Sequence, residues 1–141
     1  MSIFDSSSII NLCGEKKISK LIEGWTINLT FYELGNAVWK QVYAYKTIDE
    51  NEANKLLDAL TEVFMRLRKP EKENSLETLK IALKEGLTYY DAAYIQAAIE
   101  NKLALVTDDK QLLEVGKKYV RVLTSDEISR QLKQNNAKGT R

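Results

Sequence analysis

The stretch from Tyr89 to Thr107 constrains the fold more than any other part of the chain. YYDAAYIQAAIENK is apolar almost all round a helix, so that helix must be buried. LALVT follows as a nearly continuous apolar run, the pattern of a strand covered on both faces within a parallel sheet. The remaining segments agree with this core. SIFD, WTINL, the region around VFMRLRKP, and VRVL read as further short strands. Between them lie helical patterns. SSSIINL has serine caps ahead of its apolar residues, and Ile18, Leu21 and Ile22 suggest a second short helix ending at Gly24. Three- and four-residue steps predict a helix from Thr30 through Tyr45, and another capped by Thr47 or Asp49 with Ala53, Leu56, Leu57, Leu60 and Val63 inward. SLETLKIALKEG, DDKQLLEVGKKY and SDEISRQLKQ complete the set. Strands alternating with helices predict an α/β fold whose central parallel sheet is covered on both faces. Residues 1–134 are expected to form a single domain, and 135–141 a frayed polar tail.

The residue inventory narrows the chemistry. The chain has 141 residues and no histidine, which removes imidazole acid–base catalysis, the Ser-His-Asp triad and the common zinc sites. Cys13 is the single cysteine, so no internal disulfide can form. A net charge of +1 gives no global field for nucleic acid, although a local basic rim could still steer it. Lys40, Lys110 and Lys16 or Lys17 are candidates for such a rim, set against the plainer use of a solvated helix face. The opening residues lack a secretory signal and no run reaches membrane-spanning length, so a cytoplasmic protein without a membrane partner is expected.

Four acids fall where an open α/β sheet binds its ligands, at strand ends and the helix starts beside them. Asp5 ends the first strand, and Asp109 follows LALVT with Asp108 beside it. Asp91 lies in the first turn of the buried helix, and Glu33 early in the helix after WTINL. Gathered carboxylates repel one another, and a divalent cation relieves that repulsion. Mg²⁺ or Mn²⁺ prefers oxygen ligands and keeps several waters, which suits phosphodiester hydrolysis by a metal-activated water. Each acid also has a purely structural use. Asp5 can cap the SSII helix, Asp108 or Asp109 can cap DKQLLEV, and Thr88-x-x-Asp91 resembles a capping box. Glu33 can simply favour a helix N-terminus.

Motifs running in order across residues 1 to about 123 resemble the PIN-domain family. IFDSS resembles its opening strand with Asp-x-Ser, and FYELGNAVWK its second motif, a Glu followed three residues later by Asn. LTYYDAAYIQAA and LALVTDDKQL are similar to the third and fourth, with Asp91 and Asp109 at the family's usual separation of 18 residues. The resemblance implies a PIN-like three-layer α/β/α fold and a metal-dependent endoribonuclease, most often the toxin of a VapBC toxin–antitoxin pair. It assigns Asp5, Glu33, Asp91 and Asp109 as catalytic, metal-binding acids for Mg²⁺ (or Mn²⁺), with Ser7, Asn36, Thr107 and Asp108 in support. Asp109 fills the fixed acid position of Thr-x-Asp, which leaves Asp108 as a spectator or outer-shell group.

The same resemblance implies an RNA substrate, a VapB-type antitoxin and a homodimer. Trp25, Trp39, Tyr43 and Tyr45 could form a partner surface or simply pack in the core, and Tyr89 or Tyr90 could stack a base. Two alternatives remain open: an RNA-processing nuclease outside any toxin–antitoxin pair, and a non-catalytic PIN-like scaffold. A haloacid-dehalogenase-like phosphatase is disfavoured because Ser7 stands where its second Asp belongs. A phosphoacceptor receiver domain is disfavoured because VRVLTSDE lacks the required lysine.

Overall fold

The structure is a computed structural model that describes residues 1–131 except 18, 20 and 22. Ile18 and Ile22 of the expected second helix, and the expected polar tail, lie outside the described residues. Three strands form a parallel sheet in the order β1 (Ser2–Phe4), β2 (Ala104–Val106), β3 (Val122–Leu123). Two further segments extend the sheet beyond β1 through single parallel bridges, Ile3 to Trp25 and Trp25 to Arg68.

WTINL is therefore a one-residue bridge rather than a strand. The turn into α2 (Leu29–Tyr43) begins at Asn28, which already has helical dihedrals, so the extended stretch has no room to grow. The strand expected around VFMRLRKP likewise shrinks to Arg68. The apolar stripe Leu60, Val63, Phe64 continues the helical repeat, and α3 (Glu50–Arg66) runs on through it. Asp49 caps that helix, its side chain accepting from the Glu52 amide. α1 (Ser6–Gly14) starts one residue earlier than its serines suggested, with Asp5 as the cap. α4 (Ser75–Glu85) ends at Gly86, whose φ of 67° favours a residue without Cβ. α5 (Tyr89–Asn101) and α6 (Lys110–Gly116) flank β2, and residues 125–131 are helical (α7).

Strand alternation builds the three layers. Ile3, Leu105 and Val122 are register partners and face the cluster built on α4, α5 and α6. Phe4, Val106 and Leu123 face the opposite cluster, built on α1, α2, α3 and Ile128 of α7. Shifting any strand by one residue would exchange these faces, so two-sided burial fixes the register. Because every strand is parallel, all their carboxyl ends lie along one edge. Asp5 and Thr107 emerge there directly after β1 and β2. No helix among the described residues is long and apolar enough to cross a membrane.

Candidate active site

Asp5 anchors the carboxyl edge of the sheet. It is only 4% exposed and caps α1, with Oδ1 accepting from the Ser8 amide at 2.9 Å and from Ser7 Oγ at 2.8 Å. Its Oδ2 accepts from Thr107 Oγ1 and from Ser7 Oγ at 3.0 Å. Both hydroxyls have a second task. Ser7 Oγ accepts from the Asp108 amide at 3.0 Å, and Thr107 Oγ1 from the Asp109 amide at 3.1 Å. Each hydroxyl thus gives its proton to Asp5 and receives an amide from the turn after β2. The start of the chain is thereby tied to residues about a hundred positions away. Burial pushes the Asp5 carboxyl above its ordinary value of 3.8, against the opposing pull of Thr107, Ser8 and Ser7.

Asp108 and Asp109 part company in the structure. Asp108 Oδ2 accepts from Asn11 Nδ2 at 2.7 Å, and Oδ1 from the Ser125 amide at 2.9 Å, which clamps α1 and α7 together. Asp109 caps α6 through the Leu112 amide at 2.9 Å and is otherwise exposed. Asp91 is half-buried in the first turn of α5, where Thr88 Oγ1 accepts from its amide at 3.1 Å. Burial raises the Asp91 pKa, the charge of Asp109 raises it further, and the Thr88 hydroxyl opposes both.

Glu33 is half-buried, and its pKa is raised by burial and by the charges of Asp91 and Asp5, against the pull of Tyr94. Tyr94, fully buried on α5, donates to Glu33 Oε1 and lies 2.7 Å from Thr30 Oγ1. Thr30 lies 2.7 Å from Thr26 Oγ1, which donates to the Phe4 carbonyl at 2.8 Å. The three hydroxyls thus form a chain of contacts running from Glu33 to the Phe4 carbonyl. The Tyr94–Thr30–Thr26 relay was not anticipated from sequence, because Tyr94 reads as one more apolar position of a buried helix. A buried tyrosine hydroxyl nevertheless needs a partner, and that was the available signal.

The four acids are linked electrostatically: Glu33 feels Asp91 and Asp5, and Asp91 feels Asp109. None of them is in a salt bridge among the described residues. No three acids in the described residues stand close enough to form a closed ligand group. Hydroxyls hold both Asp5 oxygens, while Tyr94 and the Leu112 amide hold one oxygen each of Glu33 and Asp109. The donor set still suits a hard cation that keeps part of its water shell: it is all carboxylate, linked, and without a paired cation.

Asn36 and Lys40 line a groove with Glu33, Ser6 and Tyr90. Lys17 instead pairs with Glu15 at 3.1 Å. Trp25 packs against the core, whereas Trp39 and Tyr43 are exposed and stacked, with ring centres 5.1 Å apart.

This chain has known counterparts. Residues 3–118 match the PIN domain, and the chain belongs to that family. It is 37% identical to Exonuclease VapC9 of Pyrobaculum aerophilum over 98 residues, 70% of this chain and 71% of that protein. Ribonuclease VapC3 of the same organism is 36% identical over 102 residues, 72% of this chain and 77% of the relative. The crystal structure of PAE2754, also from Pyrobaculum aerophilum, superposes with a TM-score of 0.77 at 26% identity. That match covers 92% of this chain and 93% of PAE2754.

Proposed function

We propose that this protein is a Mg²⁺- or Mn²⁺-dependent endoribonuclease acting as the toxin of a VapBC-type pair. The observation that carries this reading is the buried Asp5 carboxylate, tied through Ser7 and Thr107 to the Asp109 turn and linked by charge to Glu33, which also feels Asp91. A scaffold has no use for that repulsion, which costs native stability wherever the acids ionise. The names of the two relatives, an exonuclease and a ribonuclease, support nuclease chemistry.

Asp5, Glu33, Asp91 and Asp109 would hold the cation. When bound, it supplies an activated water and neutralises charge developing at the scissile phosphate. Ser7 and Thr107 keep the Asp5 carboxylate oriented, and Tyr94 does the same for Glu33. Asn36 and Lys40 offer a donor and a positive charge to the RNA backbone, contacts that give affinity without reading sequence. Asp108 holds α1 and α7 and stays outside the cation's ligands.

Two exposed surfaces fit the partners implied by the VapC name. The Trp39–Tyr43 stack on α2 suits an antitoxin segment, and the leucine row Leu76, Leu79, Leu83 on α4 suits a second copy.

A circular oligoribonucleotide tests the endonucleolytic reading, because an exonuclease cannot start on it. Wild type should linearise the circle with Mn²⁺ and leave it intact with chelator, and folded Asp91→Asn should be inactive under both conditions. Digestion of linear RNA alone would replace this reading with an exonuclease. Full activity in Asp91→Asn would remove the cation site.

A further inference from the structure

A second cavity, beside the acidic edge, is unused by the reading above. It has a volume of about 200 Å³ and opens between α5 and the segment leading into α2. Ala93, Gln96 and Ala97 recur at helical spacing on the face of α5 that lines it, with Ile27 and Leu29 opposite and Tyr90 at one end. The two alanines create the space, since larger side chains at those positions would fill it.

Gln96 is the unusual residue. It is only 8% exposed, lines the cavity, and lies at the centre of a helix that is otherwise buried through apolar side chains. The side-chain hydrogen bonds of this region belong to Thr88, Tyr94 and Asn101, and Gln96 makes none among the described residues. Its amide is open to the cavity rather than sealed from solvent, so it is free to pair with a ligand that enters there.

Three properties define that ligand. The volume is below the ~300–1,000 Å³ of pockets that take drug-sized molecules, and of the order of one flat ring system. The exposed wall is mostly apolar, with Tyr89 and Tyr90 available for stacking, and Lys72, Glu73, Asn74 and Glu100 also line it. The amide offers one donor and one acceptor side by side, the pattern that pairs with the edge of a nucleobase. Leu29 and Tyr90 line both this cavity and the groove holding Glu33, Asn36 and Lys40, so the two adjoin. We propose that the cavity receives a single base of the RNA strand whose backbone lies along the acidic groove, with Gln96 reading its edge. This rests on the ribonuclease reading, and it makes Gln96 a determinant of where the strand is cut.

Two measurements on the full chain separate this proposal from that reading. In the first, metal-free protein is titrated with adenosine, guanosine, cytidine and uridine and followed by NMR. One nucleoside should shift the Gln96 side-chain amide and the Tyr90 ring more than the other three. Gln96→Leu and the cavity-filling Ala97→Leu should each weaken that binding about tenfold, the discrimination expected of an edge-paired amide. In the second, a randomised oligoribonucleotide pool is cut with Mn²⁺. Wild type should show a base preference next to the cut, and Gln96→Leu should flatten it about tenfold. Gln96→Leu nearly conserves volume, so it carries the test even if Ala97→Leu destabilises the fold. Nucleoside binding at Gln96 without any RNA cleavage would support the cavity and overturn the nuclease. RNA cleavage whose base preference survives both substitutions, with no nucleoside shift at Gln96, would overturn the cavity and leave the nuclease standing.

Discussion

Tyr94→Phe removes one oxygen from the interior and leaves the ring in place. The hydroxyl makes two contacts, to Glu33 and to Thr30, so the variant loses two buried hydrogen bonds and opens almost no void. At about 0.5–1.5 kcal/mol net for each bond, the loss is about 1–3 kcal/mol. For a chain of this size that lowers the melting temperature by roughly 3–10 °C. A purely structural tyrosine predicts the same fall, so stability alone decides nothing. The informative quantity is cation affinity. Tyr94 holds Glu33 Oε1, and Glu33 lines the groove; loss of a partner that orients a ligand typically weakens a metal site about 10–100-fold. Calorimetric titration of Mn²⁺ into wild type and Tyr94→Phe at neutral pH measures this directly. Thr30→Val is the control, because it cuts the relay one step further back and keeps the Tyr94–Glu33 contact; its affinity should fall less. A Tyr94→Phe protein that melts lower but binds Mn²⁺ within about twofold of wild type, well short of the ligand-orienting range, would refute this role for the relay.

The two adjacent aspartates should separate activity from stability. Asp109→Asn should lose RNA cleavage yet melt near wild type, since Asn caps a helix as well as Asp. Asp108→Asn should keep activity and melt lower, because it weakens the clamp to Asn11 and Ser125; the reverse pattern in cleavage rates and thermal melts would reassign the fourth motif. The raised carboxyls predict a pH dependence of definite sign. Native Asp5, Glu33 and Asp91 hold their protons above the pH at which the unfolded chain releases them, near 3.8 for Asp and 4.5 for Glu. Their stabilising contribution is therefore complete below those values and lost as pH rises through the raised native values. Without metal, wild type should lose melting temperature on going from acid to neutral pH relative to Asp91→Asn, and millimolar Mn²⁺ should restore it. A gap between the two proteins that does not change with pH would contradict the assignment.

What the sequence made legible followed from periodicity, and what it hid followed from length and from distance along the chain. β1 and β2 could be read because burial on both faces forces continuous apolar runs, and SIF and LALV are such runs. Trp25 and Arg68 could not be placed, because one bridging residue has no period. Val63 and Phe64 continue a helical stripe that suggests a strand when taken as an isolated apolar run. The acids were legible as residues because strand ends and helix starts lie on one edge of any parallel sheet. Capping does not keep an acid from the carboxyl edge: Asp5 caps α1 and is still the most enclosed of the four. What sequence could not give was the partner of each acid. Thr107 meets Asp5, and Tyr94 meets Glu33, only because β1 pairs with β2 and α5 packs beside α2. Polar residues in apolar settings were the remaining clue. Thr26, Thr30, Tyr94 and Gln96 all interrupt segments that the core should have made wholly apolar, and each must find a partner or go without. Three of the four find one in the relay to Glu33, and the fourth faces the empty space beside Tyr90.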